Sequence, residues 1–90
     1  MAVEFVKFKT SYKTYDIAGA ILREEDTLGY HFINTGDVIC WINGFPLYPS
    51  GVLDTMISGY QDTSLYTIKF DNSISPTPNP ELGVITFNRA

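Results

Sequence analysis

Thr27-Leu28-Gly29-Tyr30-His31-Phe32-Ile33-Asn34-Thr35-Gly36-Asp37-Val38-Ile39-Cys40-Trp41-Ile42 is the stretch on which the fold turns. Two runs rich in aromatic and β-branched residues flank a polar Asn-Thr-Gly-Asp break, the pattern of two strands and a turn. Alternation puts Leu28, Tyr30 and Phe32 on one face of the first run, and Val38, Cys40 and Ile42 on one face of the second. The two runs read as a hairpin from Thr27 to Ile42, the clearest element of the chain, and loop length sets its register. A two-residue loop at Thr35-Gly36 would pair Asn34 with Asp37 and His31 with Cys40, but it demands a positive φ that a β-branched Thr35 resists. A three-residue loop, Asn34-Thr35-Gly36, closes a type I turn with Gly36 in the left-handed region and pairs Ile33 with Asp37. It aligns Leu28, Tyr30 and Phe32 with Ile42, Cys40 and Val38 as one apolar wall. It also sets Gly29 across from Trp41, whose ring would cover the missing side chain. The sequence therefore predicts the second register.

Downstream, Asn43-Gly44 is a strong hairpin-turn dipeptide that folds Phe45-Pro46-Leu47 back on the preceding strand. Pro46 has no N–H for a ladder, so this return strand belongs at a sheet edge. Pro49-Ser50-Gly51 makes the next turn, and Val52 to Ile57 reads as a strand closed by Ser58-Gly59. Leu65 to Asp71 alternates with Tyr66, Ile68 and Phe70 inward, and Gly83 to Asn88 is a final strand. Between these lies Ser73-Ile74-Ser75-Pro76-Thr77-Pro78-Asn79-Pro80, a stiff proline-rich strap inside one domain rather than a linker.

Upstream, Val3 to Thr10 switches the phase of its alternation near Phe5-Val6, as a β-bulge would. Tyr12 to Leu22 reads two ways. Asp16 could cap a short helix with Ile17 and Ile21 stacked, at a cost of about 1 kcal/mol for Gly19 in its middle. As a strand, Tyr15, Ile17 and Ile21 share one face; this is the preferred reading, ending at Arg23-Glu24-Glu25-Asp26. The sum is an all-β chain: a small antiparallel β-sandwich or jelly-roll-like domain of about seven short strands, residues 1–90 forming a single β domain.

Composition agrees. Of 90 residues 44% are hydrophobic and 18% charged, against a typical charged share of about 25%, so the chain is globular rather than disordered. Six Lys and Arg against ten Asp and Glu leave a net charge of −4, which disfavours a nucleic-acid partner. No apolar run approaches the ~20 residues of a membrane span, so no membrane partner is expected. Met1 to Lys7 has no apolar signal-peptide core, and the lone Cys40 makes no internal disulfide, so synthesis in a reducing cytoplasm is expected.

The reactive residues are few. His31 is the only histidine and Cys40 the only thiol. A Cys40–His31 nucleophile pair is the sharpest enzymatic possibility, but only the disfavoured register makes them neighbours. The two cannot complete a four-ligand zinc site, and Glu24-Glu25-Asp26 lacks the spacing of a calcium loop. No glycine-rich loop precedes a helix. The expectation is no catalytic residue, no metal and no cofactor. The surplus is aromatic, 14% of residues. Tyr12, Trp41, Tyr48 and Tyr60 stand near turns or on the less apolar face, a candidate interaction surface for a protein or carbohydrate partner. Lys7, Lys9 and Lys13 form a mildly basic stripe suited to a solvated strand edge.

Asn34-Thr35-Gly36-Asp37-Val38, then Trp41-Ile42-Asn43-Gly44-Phe45-Pro46-Leu47-Tyr48-Pro49-Ser50-Gly51, then Tyr66-Thr67-Ile68-Lys69-Phe70 and Leu82-Gly83-Val84-Ile85, resemble a pattern in small accessory virion proteins of tailed bacteriophages, especially those infecting Bacteroidetes. The similarity spans roughly residues 27 to 88 and lies in turn and core residues. It implies a non-enzymatic capsid-decorating or head–tail component, made in the host cytoplasm and carried in the virion. Its partners would be other virion proteins and further copies of itself, and the resemblance carries over no catalytic residue. The alternative is a stand-alone carbohydrate- or protein-binding β module.

Overall fold

The computed structural model describes residues 8–21, 27–56, 62, 64–74 and 76–89. Among these residues the chain forms eight strands: β1 (Phe8–Tyr15), β2 (Gly19–Ile21), β3 (Thr27–Asn34), β4 (Ile39–Ile42), β5 (Phe45–Leu47), β6 (Val52–Asp54), β7 (Tyr66–Asp71) and β8 (Leu82–Arg89), with one 3-10 turn at Asn72–Ile74. They build two antiparallel four-stranded sheets, one ordered β1-β8-β3-β6 and the other β2-β7-β4-β5.

The pairing is nested. β4 pairs with β5, β3 with β6, β2 with β7 and β1 with β8. The chain is thus one long hairpin whose tip is Asn43-Gly44, rolled up so that β3 also meets β8 and β4 also meets β7. Eight strands in this double-wound order make a jelly roll. The tip is as the sequence predicts: Asn43 has φ 49° and Gly44 φ 81°, the two positive values that a primed two-residue turn requires. Pro46 lies on β5, an edge strand, again as expected.

The predicted Thr27–Ile42 hairpin does not form. β3 and β4 belong to different sheets, and Asn34 to Val38 is a corner between them. The corner bonds elsewhere: the Thr35 and Gly36 N–H groups donate to the Glu81 carbonyl and the Asp37 N–H to that of Asn79. The proline-rich strap thus takes the place the sequence reading gave to a hairpin partner, and Gly36 does not adopt a positive φ. Asn34 turns the chain inward. Its buried side-chain amide donates to the carbonyls of Val38 (2.8 Å) and Leu47 (2.7 Å), while its oxygen accepts the Gly36 N–H.

The inward set survives the change of partner, because alternation fixes which side a residue faces and not which strand lies beside it. Tyr30 and Phe32 enter the core from one sheet, Cys40 and Ile42 from the other, joined by Ile21, Leu47, Tyr66, Ile68, Leu82 and Val84. The rings of Tyr30, Phe32 and Tyr66 meet with centroids 5.1 to 5.8 Å apart and bridge the sheets. Val38 is fully buried. Leu28 is not part of this wall: it is the extra residue of a bulge between Thr27 and Gly29, and is only half-buried.

Further corrections follow from the topology. Gly29 pairs with Phe87 rather than Trp41, and Met56 lies over it. Tyr12 to Ile21 is two strands, because the chain changes sheets at Asp16 to Ala18; Ile17 points into solvent at 76% exposure. No helix forms there. The strand from Val52 ends at Asp54. Val3 to Lys7, Arg23-Glu24-Glu25-Asp26 and Ile57 to Tyr60 lie outside the described residues, and with them the Phe5-Val6 bulge.

Candidate functional site

Among the described residues, the predicted surface aromatics Tyr12 and Trp41 do not share one platform. Tyr12 stands on β1, on the outer face of the first sheet, and Trp41 on β4, on the outer face of the second. Tyr48 is exposed in the turn after β5, where its carbonyl accepts the Gly51 N–H at 2.8 Å. Tyr60 lies outside the described residues. The sandwich therefore carries two separate surfaces.

On the first sheet, residues in register form rows across the strands. One row runs Tyr12–Ile85–His31–Asp54, and the next Thr14–Gly83–Ile33–Val52. The outer end of Tyr12 reaches over Gly83, so closely that a Cβ there would stand 2.6 Å from its hydroxyl. An aromatic side chain thus covers a strand glycine here, a pair that the sequence reading did not name. With Phe87 beside Gly29, the outer face presents Tyr12, Ile33, Val52, Ile85 and Phe87. Tyr12 is 59% and Val52 52% exposed. The face is not wholly apolar: His31 Nδ1 stands 3.9 Å from Asp54 Oδ2 in the row of Tyr12 and Ile85, and Arg89 shares the face at the end of β8.

The second surface is an open depression of about 470 Å³ lined by Trp41, Gly44, Thr67 and Lys69. Trp41 lies directly across from Lys69 on one side and Pro46 on the other. Its wall is fixed by Asn43, whose side-chain oxygen accepts the Thr67 N–H (2.8 Å) and hydroxyl (3.2 Å), while the Asn43 N–H donates to the Thr67 carbonyl.

His31 and Cys40 are not neighbours: one stands on the outer face of the first sheet, the other in the core on the second. Burial pushes the Cys40 thiol up to about 11, so it stays protonated and poorly nucleophilic at neutral pH. Among the described residues, no three His, Cys, Asp or Glu side chains gather as a metal site would need.

Two polar groups escaped the sequence reading. Asn34 looked like a loop residue, yet it is 1% exposed and ties the corner to β5. Asp62 accepts the Tyr66 hydroxyl (2.6 Å), the Thr55 hydroxyl (2.9 Å) and the Ser64 N–H (2.9 Å). Each closes a local turn, Asn34 with Gly36 and Asp62 with Ser64, but the bonds of Asn34 to Leu47 and of Asp62 to Thr55 arrive only through the fold. Comparison with family models, curated proteins and solved structures finds no match for this chain.

Proposed function

We propose that the chain is a non-enzymatic structural component of a bacteriophage particle, a capsid-decorating or head–tail protein that acts through protein–protein contacts. The observation that carries this reading is the apolar outer face of the first sheet. Tyr12, Ile33, Val52, Ile85 and Phe87 stand together on it, and the main exposed apolar patch of a small protein is often functional. The resemblance in the turn residues and the jelly-roll order, an architecture used by viral capsid domains, point the same way by fold-level analogy.

The row Tyr12–Ile85–His31–Asp54 is suited to a second copy. A two-fold axis along the strands would set Ile85 against His31 and the Tyr12 hydroxyl against the Asp54 carboxylate, in both directions at once. Burying this face also adds to a core that is small for an unstapled domain.

The virion assignment is tested by the gene's surroundings and by mass spectrometry of purified particles. Flanking capsid, portal or tail genes, with peptides of this chain in the particles, is the expected result. A gene set among metabolic enzymes, or particles without the chain, overturns it.

A further inference from the structure

We propose that the depression beside Trp41 binds an acidic sugar unit of a glycan, a ring bearing a single carboxylate. It lies on the second sheet, away from the face assigned to subunit contact, and the inference stands independently of that assignment.

Trp41 is 36% exposed on a strand paired on both sides, so a firmly held backbone presents a large ring to water. A pyranose ring presents axial C–H groups that pack on such an aromatic face, while its hydroxyls need both donors and acceptors. The Trp41 indole N–H makes no hydrogen bond to a described residue and is available as a donor. Thr67 gives its hydroxyl hydrogen to Asn43, which leaves the oxygen's lone pairs to accept. Gly44 adds no side chain, and nothing stands within 4 Å of where its Cβ would be, so the mouth is open.

Lys69 selects the charge. It is exposed beside Trp41 and makes no ion pair among the described residues, and no carboxylate stands among the four lining residues. One ammonium group matches one carboxylate. A polyphosphate would meet a single cation on a chain of net charge −4, which disfavours it. The volume falls within the ~300–1,000 Å³ of small-ligand sites. The Asn43 bonds to Thr67 hold the wall in place before a ligand arrives, which lowers the ordering cost of binding.

Trp41 is the only tryptophan, so intrinsic fluorescence reports this site alone. The full chain is titrated with tetragalacturonate, with the neutral galactotetraose of equal length, and with adenosine monophosphate. The expected result is a saturable change with tetragalacturonate and at least tenfold weaker binding of the neutral sugar. In Lys69→Gln that tenfold preference for the acidic sugar disappears. Trp41→Ala, followed by amide shifts of Gly44 and Thr67 in the folded protein, loses both. Equal binding of acidic and neutral sugars, a preference that survives Lys69→Gln, or tighter binding of the nucleotide overturns the proposal. So does a flat response to galacturonate, glucuronate and sialate oligomers alike.

Discussion

Asn34 is where the fold depends most on one side chain, since it supplies the only described side-chain hydrogen bonds to the Val38 and Leu47 carbonyls. Leaving a buried polar group without a partner costs about 1–3 kcal/mol. Asn34→Ala should therefore lower unfolding free energy by about 3 kcal/mol or more, read as a shift in urea midpoint at unchanged slope; a loss under about 1 kcal/mol would show that the corner is held by other means. The glycines make a sharper pair. A Cβ at Gly29 would meet the Met56 backbone at 2.6 Å, whereas one at Gly83 meets only the outer end of the Tyr12 side chain, which is 59% exposed and has solvent to turn into. Overpacking against backbone costs about 1–3 kcal/mol. Gly29→Ala should thus be clearly destabilising and Gly83→Ala nearly neutral, and equal thermal shifts for the two would contradict the placement of Met56.

At the scale of elements, the Asn43-Gly44 turn is the tip of the nested hairpin, so Gly44→Ala, placing a side chain at φ 81°, should cost about 1–2 kcal/mol. The Asp62 cluster makes stability depend on acid. Burial opposes its charge, but the bonds from Tyr66, Ser64 and Thr55 outweigh burial and hold its carboxyl below the ordinary 3.8. A carboxyl lowered on folding contributes stability above its unfolded pKa and loses it as pH falls through the folded value. Stability should therefore drop below about pH 3.8, and Asp62→Asn should flatten that limb of the melting-temperature profile; an unaltered limb would assign the acid sensitivity elsewhere. These two elements also mark how far sequence reaches. Asn43-Gly44, the Pro46 edge strand and the inward set Tyr30, Phe32, Cys40, Ile42, Tyr66 and Ile68 were legible because turn chemistry and alternation are local. The partner of β3 was not: Asn34 to Asp37 suits a hairpin loop and an inter-sheet corner equally, and the carbonyls that decided it belong to Asn79 and Glu81, more than 40 residues on. Trp41 was singled out from sequence, but Lys69 and Thr67 join it only once β7 pairs with β4.

At the scale of the molecule, one shared core implies one cooperative unfolding event, and Cys40 reports on it. A fully buried thiol with its pKa pushed up to about 11 should resist a thiol reagent at pH 8 and react at a rate that follows global unfolding in urea. Stoichiometric labelling of the native protein within seconds would contradict the buried placement. The two proposals assign the outer faces separate roles: the face around Ile85 to another copy, the Trp41 depression to a small ligand. The central claim is that the first face is a subunit contact, and light scattering over a concentration series of the wild type and Ile85→Lys tests it most directly. The predicted result is a discrete symmetric oligomer at micromolar concentration that becomes monomeric in Ile85→Lys with little change in melting temperature. A wild type that stays monomeric at the highest concentrations reached, or an oligomer indifferent to a lysine at position 85, would contradict it.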